Sequence, residues 1–313
     1  MKYPSATYRV QLNKQFTFRH LLAIIPYLHQ LGVSTIYASP VAAAVSGSAH
    51  GYDVIEPNQI NPEIGSIEEF RLIARQLNAL GMTWLQDIVP NHMAFSADNK
   101  RLMDVMERGE RSPYYHYFDI SWNNADKTLC GKVMLPVLGE EQSTCLANAQ
   151  ISLQWKQEGP VIVYADHHYP VAPGMYEYLL PVNHPYWRDQ VDVLYSYWTA
   201  PLPQWVHQKQ QLVNAVQADK DVLQYVQQRV QEINSNKKEI GKWLNCQCYT
   251  LAWWKHADTQ MNYRRFFAVN SLISLRMENA AVFEDYHRLI RFLYNENMVQ
   301  GVRIDHIDGL YHP

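Results

Sequence analysis

Along the first ninety positions the apolar residues switch repeatedly between two periods. Thr7-Tyr8-Arg9-Val10-Gln11-Leu12 mixes β-branched, aromatic and polar residues in near-alternation, whereas Leu21, Ile24, Ile25, Leu28 and Leu31 recur at helical spacing before Gly32, which predicts a strand and then a helix. Pro26 falls within that helix and marks a kink or a late first turn. Val33-Ser34-Thr35-Ile36-Tyr37-Ala38 reads as a second strand. Ser66-x-x-Glu69 forms a capping box that opens a helix with Phe70, Ile73, Leu77 and Leu80 on one face, and Gly81 closes it. Thr83-Trp84-Leu85-Gln86-Asp87-Ile88-Val89 makes a third strand. The order βαβαβ, with short connections apart from a loop over 40 to 65, implies parallel strands.

The rhythm then breaks. From about 94 to 203 there are short strand-like pieces such as Val161-Ile162-Val163-Tyr164, many aromatics and turn residues. From about 204 to 242 the chain is polar and helical, with Val213, Val216, Val222, Val226 and Val230 near helical spacing, which predicts an αα-type insertion, either packed on the body of the protein or serving as a partner-binding arm. Alternation resumes with Val282, Tyr286, Leu289, Ile290 and Leu293 on a single helix face and a fourth strand over 299 to 304. The fold class is therefore α/β: strands 1 to 4 of a (β/α)8 barrel, half of the full set, with a large mixed, partly helical insertion after strand 3. The expected divisions are 1–93 for strands 1 to 3 and their helices, 94–265 for the insertion, and 266–313 for the third helix, strand 4 and the loop after it.

Composition narrows the partners. The 313 residues are 47% hydrophobic, enough to bury a substantial core, and 27 basic against 30 acidic residues leave a formal charge of −3 with no long basic run, so nucleic acid is not an expected partner. Met1-Lys2-Tyr3-Pro4-Ser5 lacks the apolar core of a secretory leader, and no stretch of about 18 apolar residues is present to span a bilayer. The expected setting is cytoplasmic, without a membrane. Cys130, Cys145, Cys246 and Cys248 then read as reduced thiols. Cys246-x-Cys248 lacks the second pair that tetrahedral zinc needs, so no metal site is assigned.

In barrels of this kind the loops after the strands build the active site. Asp87, Asn91, His92, Arg303 and Asp305 all fall there. A guanidinium two residues before a carboxylate on the same strand face favours the anion, which suits a nucleophile at Asp305; the same spacing also suits a structural ion pair at the barrel rim. His92 alone reads as a satisfied polar residue, and its company with Asp87 and Asn91 in one strand-end loop favours a functional role.

These residues carry a resemblance. Asp87-Ile88-Val89-Pro90-Asn91-His92 and Gly301-Val302-Arg303-Ile304-Asp305 resemble the first two signature regions of the alpha-amylase superfamily. Thr7-Tyr8-Arg9-Val10-Gln11, Gly47-Ser48-Ala49-His50-Gly51-Tyr52-Asp53-Val54, Asn262-Tyr263-Arg264-Arg265-Phe266-Phe267 and Asp305-His306-Ile307-Asp308-Gly309-Leu310 are similar to the maltooligosyltrehalose synthase family within it. Glu63-Ile64-Gly65-Ser66 departs from that family's pattern, which has a Gly-Gly pair there. The resemblance implies retaining chemistry that turns the reducing-end α-1,4 bond of a maltooligosaccharide into an α,α-1,1 bond, without an organic cofactor. It implies Asp305 as nucleophile, Arg303 as its partner, His92 as a ligand of the sugar beside the cleaved bond, and Tyr52 as the platform beneath that sugar. His50 and His306 join the substrate-binding set, while Asp53, Asp87 and Asn91 support it.

Some of these residues have competing structural accounts. Tyr52 reads alternatively as a rim or core tyrosine, although the 47–54 block favours function. Asn262 to Phe267 reads as a packing motif whose arginines pair with local acids, and Trp253-Trp254 as core. In the family pattern the acid/base glutamate follows the fifth strand and a further sugar-gripping aspartate follows the seventh, both beyond residue 313. The expectation is an N-terminal portion that is inactive alone, with exposed edges on the first and fourth strands and the missing half-barrel as a partner. A hydrolase of the same superfamily, or a non-catalytic glucan-binding module, are the alternatives.

Overall fold

The computed structural model describes residues 4–313. Met1, Lys2 and Tyr3, which open the segment inspected for a leader, lie outside the described residues. The chain divides into two compact units, one holding the chain through Lys100 together with Arg265–Pro313 and the other Arg101–Arg264.

In the first unit four parallel strands lie side by side in the order Thr7–Val10, Thr35–Ala38, Thr83–Ile88 and Gly301–Ile304. They are called the first to fourth strands below. Arg9 stands opposite Tyr37, Tyr37 opposite Leu85, and Asp87 opposite Arg303. Because strand side chains alternate with period two, Arg9, Tyr37, Asp87 and Arg303 share one face. Helices Phe18–Gln30 and Ile67–Ala79 cover the sheet, burying Phe18, Leu21, Ile25 and Leu28 with Phe70, Ile73 and Leu77 in a common core. Burying each such side chain stabilises the fold by about 1.5–3 kcal/mol. The outer strands carry exposed apolar residues: Tyr8 on the first, Val302 and Ile304 on the fourth.

The capping box at Ser66 forms in both directions, Glu69 donating its amide to the Ser66 hydroxyl at 3.3 Å and accepting the Ser66 amide at 2.9 Å. Helix Phe18–Gln30 runs through Pro26, which lies on the exposed side, where water can satisfy the carbonyl left without a partner. Three expectations require correction. The loop over 40 to 65 contains an antiparallel pair, Ala42–Ala44 with Val54–Ile60. Its alanines have no strand propensity to announce it. The single helix expected over 282 to 293 is two, Ala280–Tyr286 and Arg288–Asn295, broken at His287, whose Nδ1 lies 2.8 Å from the Phe283 carbonyl. Finally, Trp254 is not core: it is 53% exposed on a short 3-10 turn, with the Lys255 ammonium over the Trp253 and Trp254 rings.

The second unit holds a parallel pair, Val133–Leu138 with Tyr249–Trp253, and a three-stranded antiparallel sheet, Ile151–Lys156, Gly159–Tyr164 and His167–Pro170. Val161 to Tyr164 sits in the central strand of that sheet. The helical stretch is three successive helices, Leu202–Ala218, Lys220–Ser235 and Lys237–Asn245. Asp219 and Asn236 separate them as N-caps, each accepting two backbone amides, so the αα pair expected from valine spacing is subdivided by caps. Val216, Val222 and Val226 are buried with Trp187 and Trp205. Among the described residues no helix is long and apolar enough to cross a membrane.

Candidate active site at the ends of the parallel strands

The third and fourth strands end beside each other and bring a cation and two carboxylates together. Arg303 Nη1 donates to Asp87 Oδ1 at 3.0 Å and to Asp305 Oδ1 at 2.5 Å. The Asp87 side chain is fully buried and that of Asp305 is 10% exposed, while Arg303 remains 42% exposed. Bonding to Asp87, and next to Asp305, holds the guanidinium well above its ordinary pKa, so it is a permanent cation here.

Asp87 is also an acceptor for two phenols. Tyr52 donates to its Oδ2 at 2.5 Å and Tyr37 to the same oxygen at 3.1 Å. Arg9, from the first strand, donates to the Tyr52 hydroxyl at 2.9 Å and lies with its guanidinium carbon 5.1 Å from the Tyr37 ring centre. Burial and the bond to Asp87 push the Tyr52 phenol up to about 12, and burial, then Asp87, raises that of Tyr37. Both phenols are protonated donors across the physiological range.

Tyr52 is delivered by a tightly bonded turn. Gly51 has φ +77, and a Cβ there would lie 3.1 Å from the Pro40 carbonyl oxygen, so the turn requires glycine. The Ser48 hydroxyl donates to Asp53 Oδ1 at 2.5 Å and accepts the Gly51 amide at 3.1 Å. His50 Nδ1 accepts the Tyr52 amide at 3.0 Å and lies 3.7 Å from Asp53. Glu63 ties down the start of the loop by accepting from the Ser46 hydroxyl at 2.9 Å and the Gly47 amide at 3.0 Å. Those bonds, the Gly47 amide first, lower its carboxyl below the usual range. Glu63 thus anchors the loop that presents Tyr52.

On the other side, Asn91 and His92 lock the turn after the fourth strand. The buried Asn91 amide donates to the carbonyls of Asp305 at 2.6 Å and His306 at 3.0 Å. That orientation leaves Asn91 Oδ1 to accept from His92 Nδ1, so the proton sits on Nδ1 and Nε2 keeps its lone pair. Burial depresses the His92 pKa to about 4. Nε2 is buried and unpaired by strict hydrogen-bond geometry, a weaker interaction with the Tyr52 backbone opposes the effect of burial on the ring, and the ring stacks on Phe266 at 4.1 Å. A buried, neutral, unsatisfied acceptor is suited to a hydroxyl donor. His306 takes a left-handed backbone with φ +44 and faces Phe266 and Phe267 at 5.5 and 5.4 Å. Gly309 closes the turn where a Cβ would meet Phe266 at 3.0 Å.

The structure therefore gathers Tyr52, Asp87 and Arg303 with Asp305, sets Asn91, His92 and His306 around the same turn, and places His50 and Asp53 in the turn that carries Tyr52. Sequence reading overlooked Arg9, Tyr37, Phe266 and Glu63 as parts of this cluster. Arg9 and Tyr37 were findable as polar or aromatic residues near the ends of predicted parallel strands. The 262–267 block is divided. Asn262 bonds backbone groups of Lys132 and Met134, and Arg264 pairs with Asp119 at 2.7 Å, both in the second unit. In the first unit Arg265 donates to Asn270 and Phe266 packs on His92.

Residues 18–144 match the family described as alpha amylase, catalytic domain. A putative maltooligosyl trehalose synthase of Mycobacterium tuberculosis is 30% identical over 98% of this chain and 32% of its own length. The chain is similar to the maltooligosyltrehalose synthases and carries a match to the alpha-amylase catalytic domain over part of its length. The solved structure of such a synthase from Arthrobacter ramosus is 31% identical with a TM-score of 0.70, covering 98% of this chain and 32% of that one. A hypothetical maltooligosyl trehalose synthase of Sulfolobus tokodaii is 32% identical at a TM-score of 0.67, covering 99% and 32%. This chain has an alpha-amylase-type fold and spans about a third of the length of these relatives.

Proposed function

We propose that this chain carries the nucleophile side of a maltooligosyltrehalose synthase active site. Its four parallel strands form one half of a (β/α)8 barrel, and the general acid comes from the other half. The exposed apolar side chains on the fourth strand and the partial coverage of the relatives support that division. In the reaction an Asp305 oxygen bonds to the anomeric carbon as the bond to the leaving glucose oxygen breaks, and the general acid protonates that oxygen. The released glucose then returns its 1-hydroxyl to the same carbon, losing its proton to the general base and freeing Asp305. The product carries an α,α-1,1 bond. Tyr52 underlies the sugar, His92 Nε2 accepts one of its hydroxyls, and Arg303 holds the nucleophile.

The observation that carries this reading is the single guanidinium bonded to both Asp87 and Asp305 at adjacent strand ends. It is tested with 5-fluoro-α-glucosyl fluoride, whose fluoride leaves with the C1–F electron pair and needs no proton donor. Intact-mass and peptide analysis of the folded chain is expected to show one fluoroglucosyl group on Asp305, and none in Asp305→Asn. A label elsewhere, or an unlabelled folded protein, refutes the assignment. With maltopentaose the chain alone is expected to leave reducing ends unchanged; once the other half is supplied, loss of reducing ends marks isomerisation, whereas a gain marks a hydrolase.

A further inference from the structure

We infer that Arg9 is a positioning residue for this site, acting through Tyr52 on the carboxylate cluster that holds the nucleophile. The inference rests on the reading of the site just given. Each of the four parallel strands contributes a side chain to one connected chain of bonds: Arg9 from the first, Tyr37 from the second, Asp87 from the third and Arg303 from the fourth. Tyr52 enters from the turn between the second and third strands. Its hydroxyl has one proton, which goes to Asp87 at 2.5 Å, and it accepts the Arg9 guanidinium N–H at 2.9 Å. With donor and acceptor both engaged, the phenol is fixed in direction.

That fixing extends further. Asp87 Oδ2 receives both phenols and Oδ1 receives Arg303, so three donors hold both oxygens of one buried carboxylate. Arg303 Nη1 divides its hydrogen bonding between Asp87 and Asp305, and any rotation of Asp87 changes the partner left to Asp305. Arg9 is exposed and is 3.4 Å from Gln11, and its other hydrogen-bond and ring contacts given among the described residues are with the two tyrosines. It packs no core, so its removal spares the fold while freeing the phenol. Side chains linked in one such network are expected to couple energetically.

The test is a double-mutant cycle in the full 313-residue chain: Arg9→Met, Arg9→Lys, Tyr52→Phe and Arg9→Met/Tyr52→Phe. The rate at which 5-fluoro-α-glucosyl fluoride labels Asp305 is measured together with the urea midpoint. Arg9→Met is expected to slow labelling about tenfold, the loss expected for about 1.4 kcal/mol, with the urea midpoint unchanged. Arg9→Lys, which keeps a donor, recovers part of the rate. In the Tyr52→Phe background Arg9→Met has no further effect, an outcome that a merely structural arginine would not give. Labelled parent protein with additive effects of the two substitutions overturns the role of Arg9 alone. A folded parent protein that takes no label overturns the reading of the site and this inference with it.

Discussion

His92 offers the most quantitative test of the site. Its ring is 1% exposed and neutral in the folded chain, with a pKa of about 4 set chiefly by burial, against 6.5 for the ordinary group. The folded value is depressed, so the neutral ring stabilises the fold fully above 6.5, and that stabilisation is lost as pH falls through 6.5 toward about 4. The whole gap is worth about 3 kcal/mol, and about 2 kcal/mol of it disappears between pH 7 and 5. His287, also depressed by burial, contributes with the same sign, so the informative quantity is a difference between proteins. In His92→Gln the His92 contribution is removed while that of His287 stays. Equilibrium urea unfolding at pH 7, 6 and 5 should show the parent protein losing about 2 kcal/mol more than the variant over that range. Titration of the His92 ring carbon by NMR should show no protonation until well below pH 5. Parallel stability curves for the two proteins, or a ring that titrates near 6.5, would refute the argument that this histidine is a neutral acceptor.

Other consequences are as direct. Asn91→Ala removes the amide that bridges the Asp305 and His306 carbonyls; it should cost about 2 kcal/mol in unfolding free energy and accelerate amide exchange over 305–309, measured by hydrogen–deuterium exchange. Gly51→Ala forces a Cβ toward the Pro40 carbonyl at φ +77 and should destabilise by about 1–3 kcal/mol in a urea titration, with Tyr52 displaced. Glu63→Gln should increase proteolytic nicking of the 45–53 loop at neutral pH. Because the Glu63 carboxyl is depressed, the parent protein should become equally sensitive only as pH falls below the usual carboxylate range.

Much of the framework was legible from local pattern. Period-two and period-3.6 runs located all four parallel strands and the two helices Phe18–Gln30 and Ile67–Ala79 that cover the sheet, since a half-covered sheet has to bury alternating or helical faces to hide them from water. Ser66 and Glu69 announced their helix because capping chemistry is local. The short Ala42–Ala44 strand was hidden because pairing, with no propensity of its own, creates it. The break at His287 escaped notice because the apolar spacing on either side continues as though the helix were unbroken. Trp254 looked like core because apolar character says nothing about whether a turn will leave a ring in water.

The site divides in the same way. Sequence alone determined which residues stand at the strand ends, Asp87, Asn91, His92, Arg303 and Asp305, because strand direction and length follow from patterning. Only the tertiary structure decided that Arg303 is shared between two carboxylates, that Asp87 takes two phenols, that Arg9 reaches Tyr52 across 43 residues of sequence, and that Glu63 anchors the loop. Those contacts depend on the parallel register of four strands, which brings together side chains as far apart as Arg9 and Arg303. No local signal encodes register between segments so distant in the chain, since it is set by how the whole sheet packs its buried face.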